Sequence, residues 1–135
     1  MAVVPEDLSI DANSSVLFLM HGYGSHMGDL ASLSGLIRHG SDLMICPNAP
    51  FPLQLGFNQS GFSWGNYEDQ ENYTDHINES SERAFATIEA AKDQYGFDDS
   101  NLIVGGFSQG GSMALRIGFT QDRNCLLYTS DAADE

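Results

Sequence analysis

Three short runs of this chain are apolar almost from end to end: Val16–Met20 (VLFLM), Leu43–Cys46 (LMIC) and Asn101–Gly105 (NLIVG). A strand with one face in water alternates apolar and polar residues. A strand buried on both faces has no need to, and four or five residues are too few for a buried helix. Each run is bounded by residues that interrupt regular structure, with Ser14, Ser15, Gly22 and Gly24 around the first and Pro47 closing the second. Strands of this kind must be covered on both sides, and the intervening sequence supplies the cover. Leu30, Leu33, Leu36 and Ile37 fall at helical spacing before Gly40, which predicts a helix from about Asp29 to His39. Ile77, Ala84, Phe85, Ile88, Ala91 and Tyr95 form a stripe with Glu79, Glu82, Glu89 and Asp93 on the other faces, which predicts a helix from Thr74 to Tyr95 ended by Gly96. Ser112–Gly118 (SMALRIG) reads as a third helix, entered through the glycines at 110 and 111. Strands alternating with helices of this length imply βαβ units in a three-layer α/β arrangement with a mainly parallel sheet, and 135 residues suit one domain.

Between the second strand and the long helix lies a stretch of another kind, PNAPFPLQLGFNQSGFSWGNYEDQ, with three prolines, five aromatics and no sustained periodicity. It is longer than a connector needs to be, which points to a binding or lid role.

Charge removes several classes of function. Five Lys plus Arg stand against 19 Asp plus Glu, a formal net charge of -14. A nucleic-acid backbone or an anionic membrane would be repelled. The N-terminal MAVVPEDLSI lacks a basic region followed by an apolar core, and no apolar run approaches the ~20 residues of a membrane-spanning helix. The expectation is a soluble cytoplasmic protein that neither binds nucleic acid nor inserts into a membrane. Its two cysteines, Cys46 and Cys125, form no spaced set for a disulfide framework or a zinc site, and Cys46 is expected to be buried and reduced. No metal or other cofactor is implied, and no feature speaks to oligomeric state.

Two pentapeptides fit G-x-S-x-G, the pattern of a nucleophilic serine on a strand-to-helix turn: GFSWG at 61–65 and GFSQG at 106–110. Such a serine needs a strand running into a sharp turn and out into a helix, so that its oxygen is lifted above the sheet edge. GFSQG has NLIVG before it and GSMALRIG after it; GFSWG has QLGFNQS before it and the polar NYEDQENYTD after it, with neither a strand nor a helix expected there. Ser108 is therefore the candidate nucleophile and Ser63 a loop serine. A glycine-rich phosphate cradle is the competing reading of GFSQG, opposed by the absence of the Lys-Ser/Thr pair of a P-loop and of a G-x-G-x-x-G. An acyl-transfer site also needs two N–H donors for the oxyanion. The residue after the serine, Gln109, offers one, and the loop HGYG at 21–24, directly after the first strand, offers another at Tyr23.

In that order, VLFLMHGYGS, PNAPFPL, GFSWG and LIVGGFSQGGSMALRIG resemble the carboxylesterase and phospholipase branch of the α/β-hydrolases, which includes the acyl-protein thioesterases. The resemblance runs from about Val16 to about Gln121. It implies the N-terminal part of a three-layer α/β-hydrolase fold, with Ser108 as nucleophile, the Tyr23 and Gln109 N–H groups as oxyanion hole, and a small-molecule or acyl ester as substrate. It also implies that the Phe51–Trp64 loop, Phe62 and Trp64 included, lines the acyl site. Whether Trp64 sits beside the scissile ester or only anchors the loop stays open.

The chain departs from the family's pattern after the nucleophile. The family's triad follows the order Ser, Asp, His, yet His21, His26, His39 and His76 all precede Ser108. The only downstream carboxylates are Asp122, Asp131, Asp134 and Glu135. From residue 125 the chain reads CLLYTSDAADE, which lacks helical or strand periodicity and resembles the conceptual translation of a transposon-end adapter used in sequencing libraries. The reading is an N-terminal portion of a hydrolase domain over 1–124 with a non-native tail at 125–135. Of the 19 acidic residues three belong to that tail, so 16 still face five basic ones and the acidity is the protein's own. The intact parent is expected to hydrolyse carboxylic esters or thioesters and the 135-residue chain to be inactive; the alternative is a non-catalytic small-molecule binding protein of the same fold.

Overall fold

The computed structural model of the chain describes residues 2–3, 9–32, 41–120 and 126–130. Its main sheet contains β1 (Ala2–Val3), β2 (Val16–Met20), β3 (Leu43–Ile45), β6 (Leu102–Phe107) and β7 (Leu126–Ser130), in the order β1-β3-β2-β6-β7. All neighbours are parallel except β1, which runs antiparallel to β3. All five residues of β2 are buried, and they divide by alternation. Val16, Phe18 and Met20 join Ala84, Ile88, Ala91, Met113, Ala114 and Ile117 in one core, whereas Leu17 and Leu19 join Leu30, Met44 and Cys46 in another. The unbroken apolar run thus reflects cover on both faces. Burial also pushes the Cys46 thiol up to about 11, so it is an unreactive part of the second core.

The helices are α1 (Met27–Ala31), α2 (Tyr73–Tyr95) and α3 (Gln109–Thr120). For α2 the predicted stripe holds, with Ala84, Ile88 and Ala91 buried against the sheet. Gly96 ends it in the left-handed conformation (φ 79°), and its N–H returns 2.8 Å to the Lys92 carbonyl. The helix expected over Asp29–His39 is described only as far as α1 allows, since residues 33–40 lie outside the described part. The side chain of Arg116 bonds Ser81 Oγ (3.1 Å) and Asn78 Oδ1, which ties α3 to α2.

Two segments differ from expectation. The proline-rich stretch contains an antiparallel ribbon of β4 (Phe51–Gly56) and β5 (Gln59–Ser63), with a register shift between Gln54 and Gly56 and a turn at Asn58 (φ 62°). GFSWG therefore does have a strand before it, although not one of the main sheet. Both sides of the ribbon are largely in water, so no apolar alternation betrays it. In the C-terminal segment, Leu126–Ser130 pairs with β6 from Ile103↔Leu126 to Phe107↔Ser130. Five residues without periodicity still suffice here, because the edge of β6 offers unpaired N–H and C=O groups to any neighbouring extended segment.

Candidate active site

In the register of β2 and β6, Met20 pairs with Gly106, so the loop that follows each strand emerges at the same end of the sheet, side by side. Loops at the carboxyl ends of adjacent parallel strands are where α/β folds place their ligands. Ser108 occupies the turn between β6 and α3 at φ 53°, one of two non-glycine residues with positive φ among the described residues, and α3 starts at the very next residue. A non-glycine residue held in this region is strained, and strain of this kind persists where the surroundings over-determine it.

The surroundings are explicit. A Cβ at Gly106 would lie 2.2 Å from the Gly110 carbonyl carbon and oxygen, and one at Gly110 would lie 2.2 Å from the Met20 oxygen and 2.5 Å from the His21 oxygen. Each is a collision with backbone, so both glycines are required. The turn is closed on itself and pressed against the end of β2. On its other side, a Cβ at Gly22 would touch Ser108 Cβ at 3.6 Å, which puts the loop His21–Gly24 in contact with the serine. Gln109, as the first residue of α3, carries an N–H with no partner inside the helix, at the positive end of the helix dipole.

His21 is fully buried, with both ring nitrogens engaged: Nδ1 lies 2.8 Å from the Gly22 oxygen and Nε2 accepts the Ala49 N–H at 3.0 Å. The tautomer is therefore Nδ1–H, and burial holds the imidazole below its usual titration range. This ring braces the loop and has no lone pair left for a serine proton. His26 caps α1 by accepting the Gly28 N–H at 3.0 Å, and His76 accepts the Asn66 N–H at 3.4 Å with Asp69 at 3.9 Å. His39 lies outside the described residues.

Phe62 joins the ribbon to the loop: its N–H donates to the Ser25 oxygen and its carbonyl accepts the Gly24 N–H, each at 2.9 Å. Its side chain is half-buried against the first core. Tyr23 donates its hydroxyl to Asn66 Oδ1 (3.1 Å) and stacks on Tyr67, with ring centroids 4.4 Å apart. Trp64 is only 1 % exposed. Its indole N–H donates to the His21 oxygen at 2.8 Å, its backbone N–H to Gln109 Oε1 at 2.9 Å, and its carbonyl accepts Ser80 Oγ at 2.6 Å. Ser63 is fully buried at the end of β5, with its hydroxyl 3.5 Å from the Phe51 oxygen. The structure thus gathers Ser108, Tyr23, Gln109 and Trp64 around the end of β2 and leaves Ser63 as the last residue of β5. Sequence reasoning missed Asn66, Ser80 and the side chain of Gln109, polar groups whose partners lie far away in the chain. Among the described residues no helix is long and apolar enough to cross a membrane.

The chain matches the phospholipase/carboxylesterase family over residues 6–127. Among solved structures it is similar to esterase PE8, at 28 % identity and a TM-score of 0.62, over 87 % of this chain and 55 % of that one. A variant of SOBER1 from Arabidopsis thaliana (18 % identity, TM-score 0.54, 76 % of this chain and 53 % of that one) shares the fold. So does an uncharacterized protein from Bacillus cereus ATCC 10987 (17 % identity, TM-score 0.60, 93 % and 36 %). The chain spans about half the length of the first two. With the match covering most of its residues and a mainly parallel sheet arranged as in those structures, the chain belongs to the phospholipase/carboxylesterase family and has an α/β-hydrolase fold.

Proposed function

We propose that the intact protein is a serine hydrolase of carboxylic esters or thioesters, with Ser108 as the nucleophile. The observation that carries this reading is the strained serine between β6 and α3, in contact with the glycine loop after β2. In the mechanism Ser108 Oγ attacks the acyl carbonyl, and the N–H groups of Tyr23 and Gln109 take the negative charge of the tetrahedral intermediate. Collapse expels the alcohol or thiol and leaves an acyl-serine, which water then hydrolyses. A serine hydroxyl needs an imidazole to accept its proton, and the three described histidines are occupied elsewhere. All four histidines precede Ser108, against the family order Ser, Asp, His, so the base and its carboxylate partner are assigned to residues outside 1–124, in a parent of which this chain is the N-terminal portion. The ribbon, Phe62 included, lines the acyl side, and Trp64, with almost no exposed surface, serves as the wall behind it.

Residues 125–135 belong, on this reading, to a tail that the source gene does not encode. Amplifying the locus and sequencing past codon 124 decides this; the same codons continuing from Asn124 would overturn it. The protein expressed from the uninterrupted gene should then hydrolyse p-nitrophenyl acetate and butyrate and be labelled by a fluorophosphonate on Ser108. Binding of such esters without turnover and without labelling would support the second reading, a non-catalytic binding protein, which the lack of a histidine after Ser108 favours for the 135 residues alone.

A further inference from the structure

Gln109 is only 2 % exposed, and its side chain is engaged with the backbone after β5. Its Oε1 accepts the Trp64 N–H at 2.9 Å and its Nε2 donates to the Gly65 oxygen at 2.8 Å, so the amide takes the place of a neighbouring strand along this short piece of backbone. This pairing fixes the orientation of the amide, since only the oxygen can accept and only the nitrogen can donate. Trp64 extends the connection through its indole N–H to the His21 oxygen. His21 immediately precedes the Gly22–Tyr23 peptide, and its oxygen, with that of Met20, faces Gly110 in the turn after Ser108. A closed circuit results: from the backbone of Gln109 through its own side chain to Trp64, from the indole to His21, and from there to the loop that carries Tyr23.

We infer that Gln109 is a positioning residue as well as an N–H donor, its side chain and Trp64 together setting the separation between the Tyr23 and Gln109 N–H groups. This rests on the reading of Ser108 given above. The physical need is plain. The Tyr23 loop contains Gly22 and Gly24, lies beyond the last residue of β2 and is bridged to the ribbon past Tyr23, where Gly24 and Ser25 pair with Phe62, whereas an oxyanion hole works only when both donors are held to within about half an ångström. A buried hydrogen-bonded circuit resists deformation, because breaking one of its bonds leaves an unsatisfied buried group.

The test uses the protein from the uninterrupted gene. Gln109→Met and Trp64→Phe each keep the backbone N–H and most of the apolar volume while cutting the circuit at different bonds. Each should lower kcat on p-nitrophenyl butyrate by about 10- to 100-fold, as expected for a donor displaced by an ångström or less, with KM changed by less than about threefold. The double variant should lose little beyond the worse single one. Hydrogen exchange followed by mass spectrometry should show faster exchange over Met20–Ser25 in both variants. If neither variant folds, Ser80→Ala, which removes only the bond to the Trp64 carbonyl, should lower kcat by about fivefold, the worth of one such bond. Folded variants with kcat within twofold of wild type, or with unchanged exchange over Met20–Ser25, overturn the inference. An intact protein without Ser108-dependent turnover refutes instead the hydrolase reading, and the exchange data still decide whether the circuit holds the loop.

Discussion

GFSQG and GFSWG share four letters and the same neighbour, the loop after β2, yet they use their glycines in different ways. In GFSQG the glycines are required by each other and by the end of β2: Gly106 packs on Gly110, and Gly110 on Met20 and His21. In GFSWG they are required by separate partners. A Cβ on Gly61 would lie 1.9 Å from the Gly24 oxygen, and one on Gly65 would lie 2.9 Å from the Tyr73 ring and 3.0 Å from Ile77 Cδ1. The first arrangement closes a turn and strains the serine at its centre; the second lays an extended segment against its surroundings and leaves Ser63 in a strand. The same letters thus make a strained turn where the glycines pack on one another, and record only close contact where they do not.

The comparison can be broken most sharply at the two serines. In the intact protein, Ser108→Ala should abolish fluorophosphonate labelling and lower kcat on the order of 10⁵-fold or more, whereas Ser63→Ala should leave labelling in place. An adduct mapped by peptide mass spectrometry to Ser63 would reverse the assignment.

The next contrast lies between the glycines. Gly110→Ala drives a methyl into two backbone carbonyls and should cost at least about 3 kcal/mol in urea unfolding or prevent folding. At Gly65 the obstructing atoms belong to side chains, the Tyr73 ring and the Ile77 methyl, which can shift, so Gly65→Ala should cost about 1 kcal/mol. Equal costs at the two positions would mean that the turn is looser than described.

The smallest expected effect is on pH dependence. Burial lowers the pKa of His21, so between the folded value and the unfolded value near 6.5 the unfolded chain binds more protons. Its contribution to stability is complete above pH ~6.5 and is lost as pH falls from there toward the folded value. Unfolding free energies of wild type and His21→Gln, measured between pH 7.5 and 5.5, should converge toward the acid end, since carboxylate effects are common to both. Parallel profiles would show that His21 does not stay neutral in the fold.

Much of the scaffold was legible in the chain because the features that reveal it are local. VLFLM and LIVG are apolar without alternation since helices cover both faces of the sheet there, and Gly96 stands where the left-handed cap of α2 falls. The strand, turn and helix around Ser108 could likewise be read from neighbours in sequence. The ribbon could not, for Leu53, Leu55 and Phe57 lie on a hairpin that water reaches from both sides, and Pro52 and Gly56 interrupt any pattern. The work of Gln109 was hidden for another reason. It occupies a variable letter of the motif, and its partners lie 44 and 45 residues away.

The central place of β2 has a consequence for how the protein is made. β2 pairs with β3 on one side and with β6 on the other, and β6 is synthesised only after the ribbon and the whole of α2. While the ribosome adds those residues, the most apolar strand of the nascent chain has one edge unpaired and, until α2 and α3 arrive, the Val16, Phe18 and Met20 face uncovered. Closing the gap requires contact between residues far apart along the chain, which makes it slow. Translation rate across residues 46–101 and the availability of a holding chaperone should therefore govern the yield of folded protein more than the intrinsic strength of any single strand pair.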